Sequence, residues 1–440
     1  MPESRRDAGL ERAVDSWGLA AAIFNSVVGS GIFVVPAALA ASIGAYAPFA
    51  FLLCAVGIGS VAICFAEGGS RIPTSGGPYG YIQVAFGPAA GYIAGNLYLV
   101  SDLLACASVA AALADTCAGL APKMWMAPVH AAVILGVLGV ITLVNIGSVA
   151  SGTRLVDGAT IFKLVPLAIF VVAGAAAIHP TNLVNSAKPT SAGFDRAVIL
   201  ALFAFTGMEV PLCASGEIRQ AARTIPRALA ISMLSVTLLY AGIQFIAQGI
   251  LGSALPTSAS PLADAMSRIH PTLRLLMLAG AAVSMFGYLG SDVLGTPRLL
   301  FAFARDGFLP RALGRVHPNS RVPHVAILVY SALAMVLAVT GTFAELAVLS
   351  TLGIAAIYIL ACAAAWRLAR QDVALAGTPL GFRWLGAAMV TGIGSMLLLI
   401  ALAERAEILG LAGVAAGSAL IYAVMSRQRK SKRDPAPAAL

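Results

Sequence analysis

The chain has 440 residues, of which 59% are hydrophobic and 11% are charged, and its formal net charge is +9. An ordinary soluble domain has about 25% charged residues, so this composition excludes a soluble enzyme, a nucleic-acid-binding domain and a disordered chain. The apolar residues run in long unbroken blocks, whereas the strands of a membrane barrel alternate polar and apolar residues. The sequence therefore predicts an all-α integral membrane protein.

The apolar blocks between polar or Gly/Pro breaks predict twelve transmembrane helices, each long enough for the ~20 residues that a bilayer crossing needs. Residues 1–16 are predicted to be a polar tail without a removable signal peptide, and residues 426–440 a basic tail after the last span. The predicted spans are 17–43, 46–66, 88–117, 128–148, 157–178, 194–213, 226–250, 272–304, 323–341, 343–366, 383–403 and 406–425.

The lysine and arginine residues predict the orientation of these spans. With both termini on one side, 21 of the 28 basic residues fall in the tails and loops of that side, and six fall on the other. Basic loops stay in the cytoplasm. Both termini are therefore predicted to be cytoplasmic, in a multi-pass protein of the plasma membrane, the inner membrane of a bacterium. The basic C-terminal tail is read as a topology signal, with contact to anionic lipid as a second reading.

Two of the predicted spans are interrupted. Gly29, Ser30 and Gly31 fall near the middle of the first span, and Thr206 and Gly207 interrupt the sixth. Irregular backbone inside a membrane is tolerated where it lines a cavity, and interrupted spans at corresponding places in two halves indicate the binding site of a secondary transporter. The competing reading is tight helix packing at small residues.

The motifs around both breaks resemble those of the amino acid–polyamine–organocation transporters. GSGIF with the following Pro36 is similar to the family's first-span motif, and PTSGGPYGYIQVAFGP (73–88) to its loop between spans two and three. FAFTGMEVPLCASGEIRQAARTIPRA (203–228) is similar to its sixth span and the loop after it, and GTPRLLFAFARDGFLP (295–310) to the end of its eighth. Together the motifs cover roughly residues 17–325. The chain departs from the family at Gln220-Ala221-Ala222, where members usually carry a Lys-Asn-Pro-like run.

The resemblance implies the inverted-repeat fold first seen in the bacterial leucine transporter, with discontinuous helices 1 and 6. In that arrangement residues 17–178 form the first five-helix repeat, residues 194–366 form the second, inverted repeat, and residues 383–425 add two C-terminal helices. It also implies alternating access, in which a bundle of spans 1, 2, 6 and 7 rocks against spans 3, 4, 8 and 9.

The resemblance further implies a substrate site at the two breaks. Backbone amides around Ser30 and Gly31 are expected to bind a carboxylate, as free N-terminal turns of helices do. Phe203 stands where family members place an aromatic lid, and Tyr98 where relatives have a tyrosine near the site. The freed carbonyls expected to bind the substrate's ammonium lie near Val27, Phe203, Ala204 and Thr206.

Five ionisable side chains lie well inside predicted spans, and such a charge costs ~3 kcal/mol, which makes a functional role the default reading. They are Asp102, Asp157, Lys163, Glu209 and Asp292. Asp157 is near a span end and is read as solvated. By the resemblance, Glu209 responds to protons, and Lys163 replaces the sodium ion of sodium-coupled relatives and bridges spans one and eight. Three readings stay open for Asp102 and Asp292: they face a cationic substrate, carry a proton, or pair with Lys163.

The sequence thus predicts a secondary transporter of amino acids that is sodium-independent and works by proton symport or substrate exchange. A polyamine, amine or cationic amino acid antiporter is the first alternative, suggested by the carboxylates Asp102, Glu209 and Asp292. An integral membrane enzyme and a channel are further alternatives, but no catalytic cluster or pore-helix repeat is visible. No metal ligands or cofactor motif are found, so the expected partners are the substrate, protons and membrane lipids, without nucleic acid. The oligomeric state is not predicted.

Overall fold

A computed structural model describes residues 15–73, 77–120, 127–147, 149–184, 191–212, 218–305, 308–318, 320, 322–375 and 379–433. Within these ranges the chain forms seventeen α-helices joined by short 3₁₀ turns and loops. In chain order they are α1 (Ser16–Val27), α2 (Gly31–Ile43), α3 (Ala47–Arg71), α4 (Pro78–Phe86), α5 (Pro88–Leu120), α6 (Ala127–Gly147), α7 (Val149–Ala175), α8 (Ser191–Phe205), α9 (Glu209–Leu212), α10 (Ala221–Leu251), α11 (Pro261–Ser267), α12 (Pro271–Gly295), α13 (Pro297–Arg305), α14 (His324–Thr340), α15 (Phe343–Arg370), α16 (Leu385–Ala401) and α17 (Arg405–Arg433).

Each predicted span coincides with one of these helices or with two consecutive ones. The first span is α1 with α2, the sixth is α8 with α9, and the eighth is α12 with α13. Among the described residues, seven helical stretches are long and apolar enough to cross a membrane, and three shorter helices are also apolar. The seven are Gly31–Arg71, Pro88–Ala118, Pro128–Gly147, Ala221–Thr257, Pro271–Phe301, Phe343–Arg370 and Arg405–Met425.

Both interruptions that the sequence predicts are present. α1 ends at Val27 and α2 begins at Gly31, while α8 ends at Phe205 and α9 begins at Glu209. The second break needs a glycine, because Gly207 has φ +109° and a β-carbon there would lie 2.9 Å from the Ser26 carbonyl oxygen. L-residues with side chains rarely adopt such a φ.

The two breaks lie against each other. A β-carbon on Gly31 would be 3.0 Å from the Ala204 Cα atom and 3.1 Å from its Cβ. Because real β-carbons do not approach so closely without displacing their neighbours, the absence of a side chain at residue 31 lets α2 and α8 touch. The interrupted halves of the first and sixth spans therefore pack as neighbours around one point.

Three local predictions differ from the structure. The predicted loop 73–88 contains helix α4, which starts with Pro78 as its first residue, a position where proline's missing N–H costs nothing, and ends before Gly87 at φ +90°. The eighth span divides at Thr296, because Pro297 cannot donate a helical hydrogen bond. α17 continues through residues 426–433, which were predicted as tail, since Lys, Arg and Gln are good helix formers. The tail residues 1–14 and 434–440 lie outside the described residues.

The helices are apolar both where they pack against one another and where they face outward, as expected of a protein surrounded by lipid. Inside, α5 packs against α12 and α15, α10 against α1 and α3, and α7 against α12. Outside, large apolar side chains stand exposed on helices α6, α7, α10, α14 and α16: Leu143, Val172, Leu234, Leu238, Val336 and Leu398 are examples. Such a surface would be unusual for a soluble protein.

A buried polar network fixes the C-terminal end of α3. Arg71 Nε donates to Glu67 Oε1 at 2.8 Å, and both side chains are buried. The backbone N–H of Phe382 donates to Glu67 Oε2 at 3.2 Å, and the N–H of Leu375 donates to the Arg71 carbonyl at 3.1 Å. The network therefore holds the end of α3 against the segment that connects α15 to α16.

Candidate substrate site

A cavity lies between the two interrupted helices, and most of the predicted substrate residues line it. The predicted residues on its wall are Val27, Ser30, Gly31, Asp102, Phe203, Ala204, Thr206 and Glu209. Helices α5, α12 and α15 close the remaining sides through Ala105, Val109, Tyr288, Ser350 and Ile354. Tyr98, predicted to lie near the substrate, is not among the residues that line the cavity, and neither are Lys163 and Asp292, which were predicted to act in coupling.

The first-span wall presents hydrogen-bond donors. Ser30 is only 2% exposed, and its hydroxyl has no partner in the described part of the chain. Gly31 begins the 13-residue helix α2, so the N–H groups of its first turn have no carbonyl within the helix to donate to; that of Phe33 donates to the Ser30 carbonyl at 3.0 Å. Helix N-termini of this kind bind anions, and the Ser30 hydroxyl adds a further donor.

Some carbonyls at the two helix breaks already accept hydrogen bonds within the chain, and others do not. The Val27 oxygen accepts hydrogen bonds from the Tyr240 hydroxyl at 2.9 Å and from the Gly29 N–H at 2.8 Å. The Phe203 oxygen accepts from the N–H of Thr206 at 3.2 Å and from its hydroxyl at 2.8 Å. A carbonyl has two lone pairs, so the acceptor positions of these two carbonyls are occupied within the chain, and their binding of an ammonium stays a prediction.

The carbonyls of Ala204 and Thr206 receive no hydrogen bond from the described backbone or side chains. Both residues line the cavity, and Ala204 lies against Gly31. Because an unpaired carbonyl away from water is costly, these two oxygens are acceptors that a ligand's cationic group can satisfy. The cavity wall thus carries both hydrogen-bond donors and acceptors.

Lys163 holds the end of α1. Its buried Nζ donates to the carbonyls of Asn25 at 2.6 Å and Val28 at 2.8 Å. Carbonyls at a helix C-terminus carry partial negative charge and stabilise a cation. The expected bridge to span eight is made instead by Ser284 of α12, whose hydroxyl donates to the Gly29 carbonyl at 3.4 Å. Among the described residues Lys163 therefore contacts the first-span break and forms no ion pair with Asp102 or Asp292.

Asp102 and Asp292 pair with each other. Each is 8% exposed, so both carboxyl groups are buried. The Thr296 hydroxyl lies between them and contacts Asp102 Oδ2 and Asp292 Oδ1. The Tyr330 hydroxyl of α14 donates to Asp292 Oδ2 at 2.7 Å. The pair joins α5 to α12, with Asp102 on the cavity wall and Asp292 behind it.

Glu209 connects the sixth-span break to α15. Its buried carboxylate accepts the Tyr358 hydroxyl at 2.7 Å and the Gly207 N–H at 3.2 Å. Phe203, on the same cavity wall, packs edge-on against Phe343, with ring centroids 5.7 Å apart. Both predicted residues therefore face the cavity and also contact α15.

Sequence reasoning missed several cavity residues. Tyr288 lies one helical turn before Asp292 on α12, and a β-carbon on Gly29 would be 3.5 Å from its ring. The i, i+4 spacing was a usable signal. No signal marked Ser350 or Ile354, because their span resembled the family only in length. The side chain of Asp157 lies outside the described residues.

The chain matches the family model described as amino acid permease over residues 14–425. The chain belongs to the amino acid permease family. An uncharacterized transporter of Mycobacterium tuberculosis is 33% identical to this permease over 358 residues, which are 79% of this chain and 78% of the relative.

Two characterised relatives match this permease over most of their length. The serine/threonine exchanger SteT of Bacillus subtilis is 28% identical over 382 residues, 83% of this chain and 85% of the exchanger. The branched-chain amino acid permease BcaP of the same organism is 24% identical over 421 residues, 89% of this chain and 88% of the relative. The predicted superfamily is confirmed. This permease is a multi-pass membrane protein that transports amino acids, and it is not an enzyme.

Proposed function

We propose that this permease carries a small amino acid across the plasma membrane by alternating access, with both termini in the cytoplasm. Twelve spans form two inverted five-helix repeats, residues 17–178 and 194–366, followed by two further helices. The coincidence of every predicted span with a described helix supports the count, and the distribution of lysine and arginine supports the orientation.

The observation that carries the proposal is the placement of donors and acceptors in the cavity. The free hydroxyl of Ser30 and the N-terminal amides of α2 bind the carboxylate of an α-amino acid. The open carbonyls of Ala204 and Thr206 bind its ammonium. The carboxylate and the ammonium that every α-amino acid shares are thus bound by donors on the first helix break and by acceptors on the second.

The remaining wall accommodates the substrate's side chain. Ala105, Val109, Val210 and Ile354 are small or aliphatic, and Phe203 covers the site from the sixth span. The names of the two characterised relatives refer to serine, threonine and branched-chain amino acids. We take small neutral amino acids as the first substrate class.

The second candidate class is cationic amino acids or amines. Asp102 and Glu209 both line the cavity, and no lysine, arginine or histidine is among the residues described on its wall. A wall with two acidic groups and no basic side chain favours a substrate that carries an additional positive charge.

Transport is sodium-independent in this proposal. The Lys163 ammonium already supplies a positive charge at the carbonyls of the first-span break. Coupling is by substrate exchange or proton symport, and the buried groups available for it are Lys163, Glu209, Asp102 and Asp292.

The test uses purified permease in proteoliposomes, with counterflow of labelled serine, threonine, leucine, lysine and putrescine in choline buffer. At least one amino acid is expected to exchange, and Ser30→Ala should raise its KM by about tenfold or more, because one hydrogen bond to a charged group is worth about 1.5–3 kcal/mol. Ser42→Ala is the matched control: Ser42 lies on the same helix and donates to the Ala38 carbonyl, away from the cavity. Failure of every amino acid to exchange, or an unchanged KM in Ser30→Ala, contradicts the proposal.

A further inference from the structure

The Asp102–Asp292 pair is a buried site without a basic partner. In the ranges that the structure describes, neither carboxyl forms an ion pair with a lysine, arginine or histidine. Lys163, on the neighbouring helix α7, is occupied by two carbonyls of the first-span break. The titratable groups that face the pair are Cys106, Glu209, Tyr288 and Tyr330, and each of them is neutral or negative.

Two carboxyl groups in this arrangement cannot both be ionised without a cation. Like charges at such short range, away from water, leave one member of a carboxyl pair protonated. The Thr296 hydroxyl contacts both carboxyls but has one hydrogen, which serves one carboxyl oxygen at a time. A single proton on the pair leaves it with a net charge of −1.

The pair is reached from the cavity through its first member. Asp102 stands on the wall together with Ser30, whose buried hydroxyl is unpartnered and lines the same cavity. The unpartnered hydroxyl indicates that a polar ligand binds there. A substrate held by its carboxylate at Ser30 and by its ammonium at Ala204 has the α5 wall, and hence Asp102, available to its side chain.

We propose that the Asp102–Asp292 pair binds one positive charge in every crossing: a proton when the substrate is neutral, and the distal ammonium of the substrate when it is cationic. This inference rests on the proposed function, because it assumes that an amino acid occupies the cavity. When the distal ammonium binds, the carboxyl proton leaves to the cavity water, so two carboxylates and one ammonium replace two carboxylates and one proton. The net charge of the cluster is −1 in both cases, as its buried surroundings require.

The proposal predicts how many protons cross the membrane with each exchange of substrates. Exchange of external lysine for internal serine moves one proton outward with each serine, and the net charge transferred is zero. Exchange of serine for serine moves no net proton. A permease with a neutral side-chain pocket would move lysine for serine with a net charge and without a proton.

The experiment uses wild-type proteoliposomes loaded with serine and a pH-sensitive dye. Addition of lysine outside should make the lumen alkaline by one proton for each lysine taken up, without developing a membrane potential, whereas addition of serine should leave the lumen pH unchanged. Lysine exchange without a proton, or serine exchange in a permease that neither binds nor exchanges lysine and ornithine, would overturn the inference. If no amino acid is exchanged at all, the proposed function itself fails, which is a different outcome.

Variants provide a second measurement. Asp102→Asn and Asp292→Asn should lower the ratio of lysine to serine exchange by about tenfold or more, since loss of one buried charged partner removes most of the binding of the other. Asp115→Asn is the matched control, because Asp115 lies on the same helix, is exposed and contacts His130. A ratio that stays at the wild-type value in both pair variants would contradict the proposal.

Discussion

Lys163 donates two hydrogen bonds to backbone carbonyls of the first-span break. Lys163→Ala leaves the carbonyls of Asn25 and Val28 without their donor, and each unsatisfied buried group costs about 1–3 kcal/mol. We expect this variant to lose transport in a proteoliposome uptake assay while remaining in the membrane. Lys163→Arg should recover little activity, because a guanidinium is wider than an ammonium. Full activity of Lys163→Ala would show that the lysine is dispensable.

Phe203 contacts the cavity on one side and the Phe343 ring on the other. Phe203→Ala should raise the KM for uptake by about tenfold, because a ring that covers the substrate loses its apolar contact, while Phe203→Trp should retain much of the activity. Phe343→Ala is the control, since it removes the aromatic pair and leaves the cavity wall in place. If the two alanine variants raise the KM equally, the role of Phe203 is packing.

The sequence identified the residues of the two breaks but not how their polar groups are paired. Ser30, Gly31 and Ala204 could be found because unusual residues interrupt apolar spans. The pairing of Asp102 with Asp292 could not be predicted, since it depends on how α5 and α12 are rotated against each other. Occupation of the Val27 carbonyl by Tyr240 likewise depends on the approach of α10, which no local pattern determines.

At the scale of the helices, the sixth-span break depends on Gly207. A side chain there meets the Ser26 carbonyl at 2.9 Å and an unfavourable φ, and strain of this kind costs about 1–3 kcal/mol. We expect Gly207→Ala to lower both the melting temperature and the uptake rate. Gly242→Ala is the matched control, because Gly242 lies inside α10 with open space around it, where alanine is the better helix former. Equal melting temperatures in the two variants would show that the break does not require glycine at residue 207.

The close contact between Gly31 and Ala204 determines how a substitution of Gly31 must be interpreted. A larger residue there displaces the backbone of Ala204, so Gly31→Val separates the two helices as well as blocking an amide. Loss of uptake in that variant would report on helix packing, and Ser30→Ala is the sharper probe of carboxylate binding.

The network at the end of α3 predicts that removing its buried ion pair lowers stability more than removing a partly exposed ion pair does. Arg71→Ala leaves the Glu67 carboxylate buried without its cation, and such a change costs about 3–5 kcal/mol. The pair of Arg196 with Glu407 is partly exposed, so Arg196→Ala should cost less, nearer the ~1 kcal/mol upper value for surface pairs. Thermal unfolding of the purified variants measures both. A smaller loss in Arg71→Ala than in Arg196→Ala would contradict the assignment of the network.

For the whole molecule, the proposal predicts uptake without sodium. Replacing sodium by choline or potassium should leave the initial rate in proteoliposomes unchanged, because the Lys163 ammonium occupies the carbonyls of the first-span break. A rate that falls to background in choline would show that a metal cation contributes to the cycle.

The overall architecture was largely predictable, because membrane helices are marked by length and apolarity. All twelve predicted spans coincide with helices, and both interrupted spans are interrupted where glycine and polar residues indicated. The predictions failed where another signal decided the structure. Helix α4 formed inside a Gly/Pro-rich stretch because its single proline stands at the first helical position, and α17 ran on through basic residues that mark topology but also favour helix.

The contact between Gly31 and Ala204 bears on how the substrate is bound from the two sides of the membrane. With α2 and α8 touching at this point, the carboxylate end and the ammonium end of the site keep a constant separation when the two broken spans move as one body. In the proposed alternating-access cycle, the main-chain groups of the substrate are then held in the same way whether the cavity opens to the outside or to the inside. Any difference between the affinities on the two faces of the membrane must arise from the walls that stay behind: Asp102 on α5, Tyr288 on α12 and Ile354 on α15. In the proposed cycle, directionality therefore depends on the side-chain pocket and not on the carboxylate and ammonium that every amino acid shares.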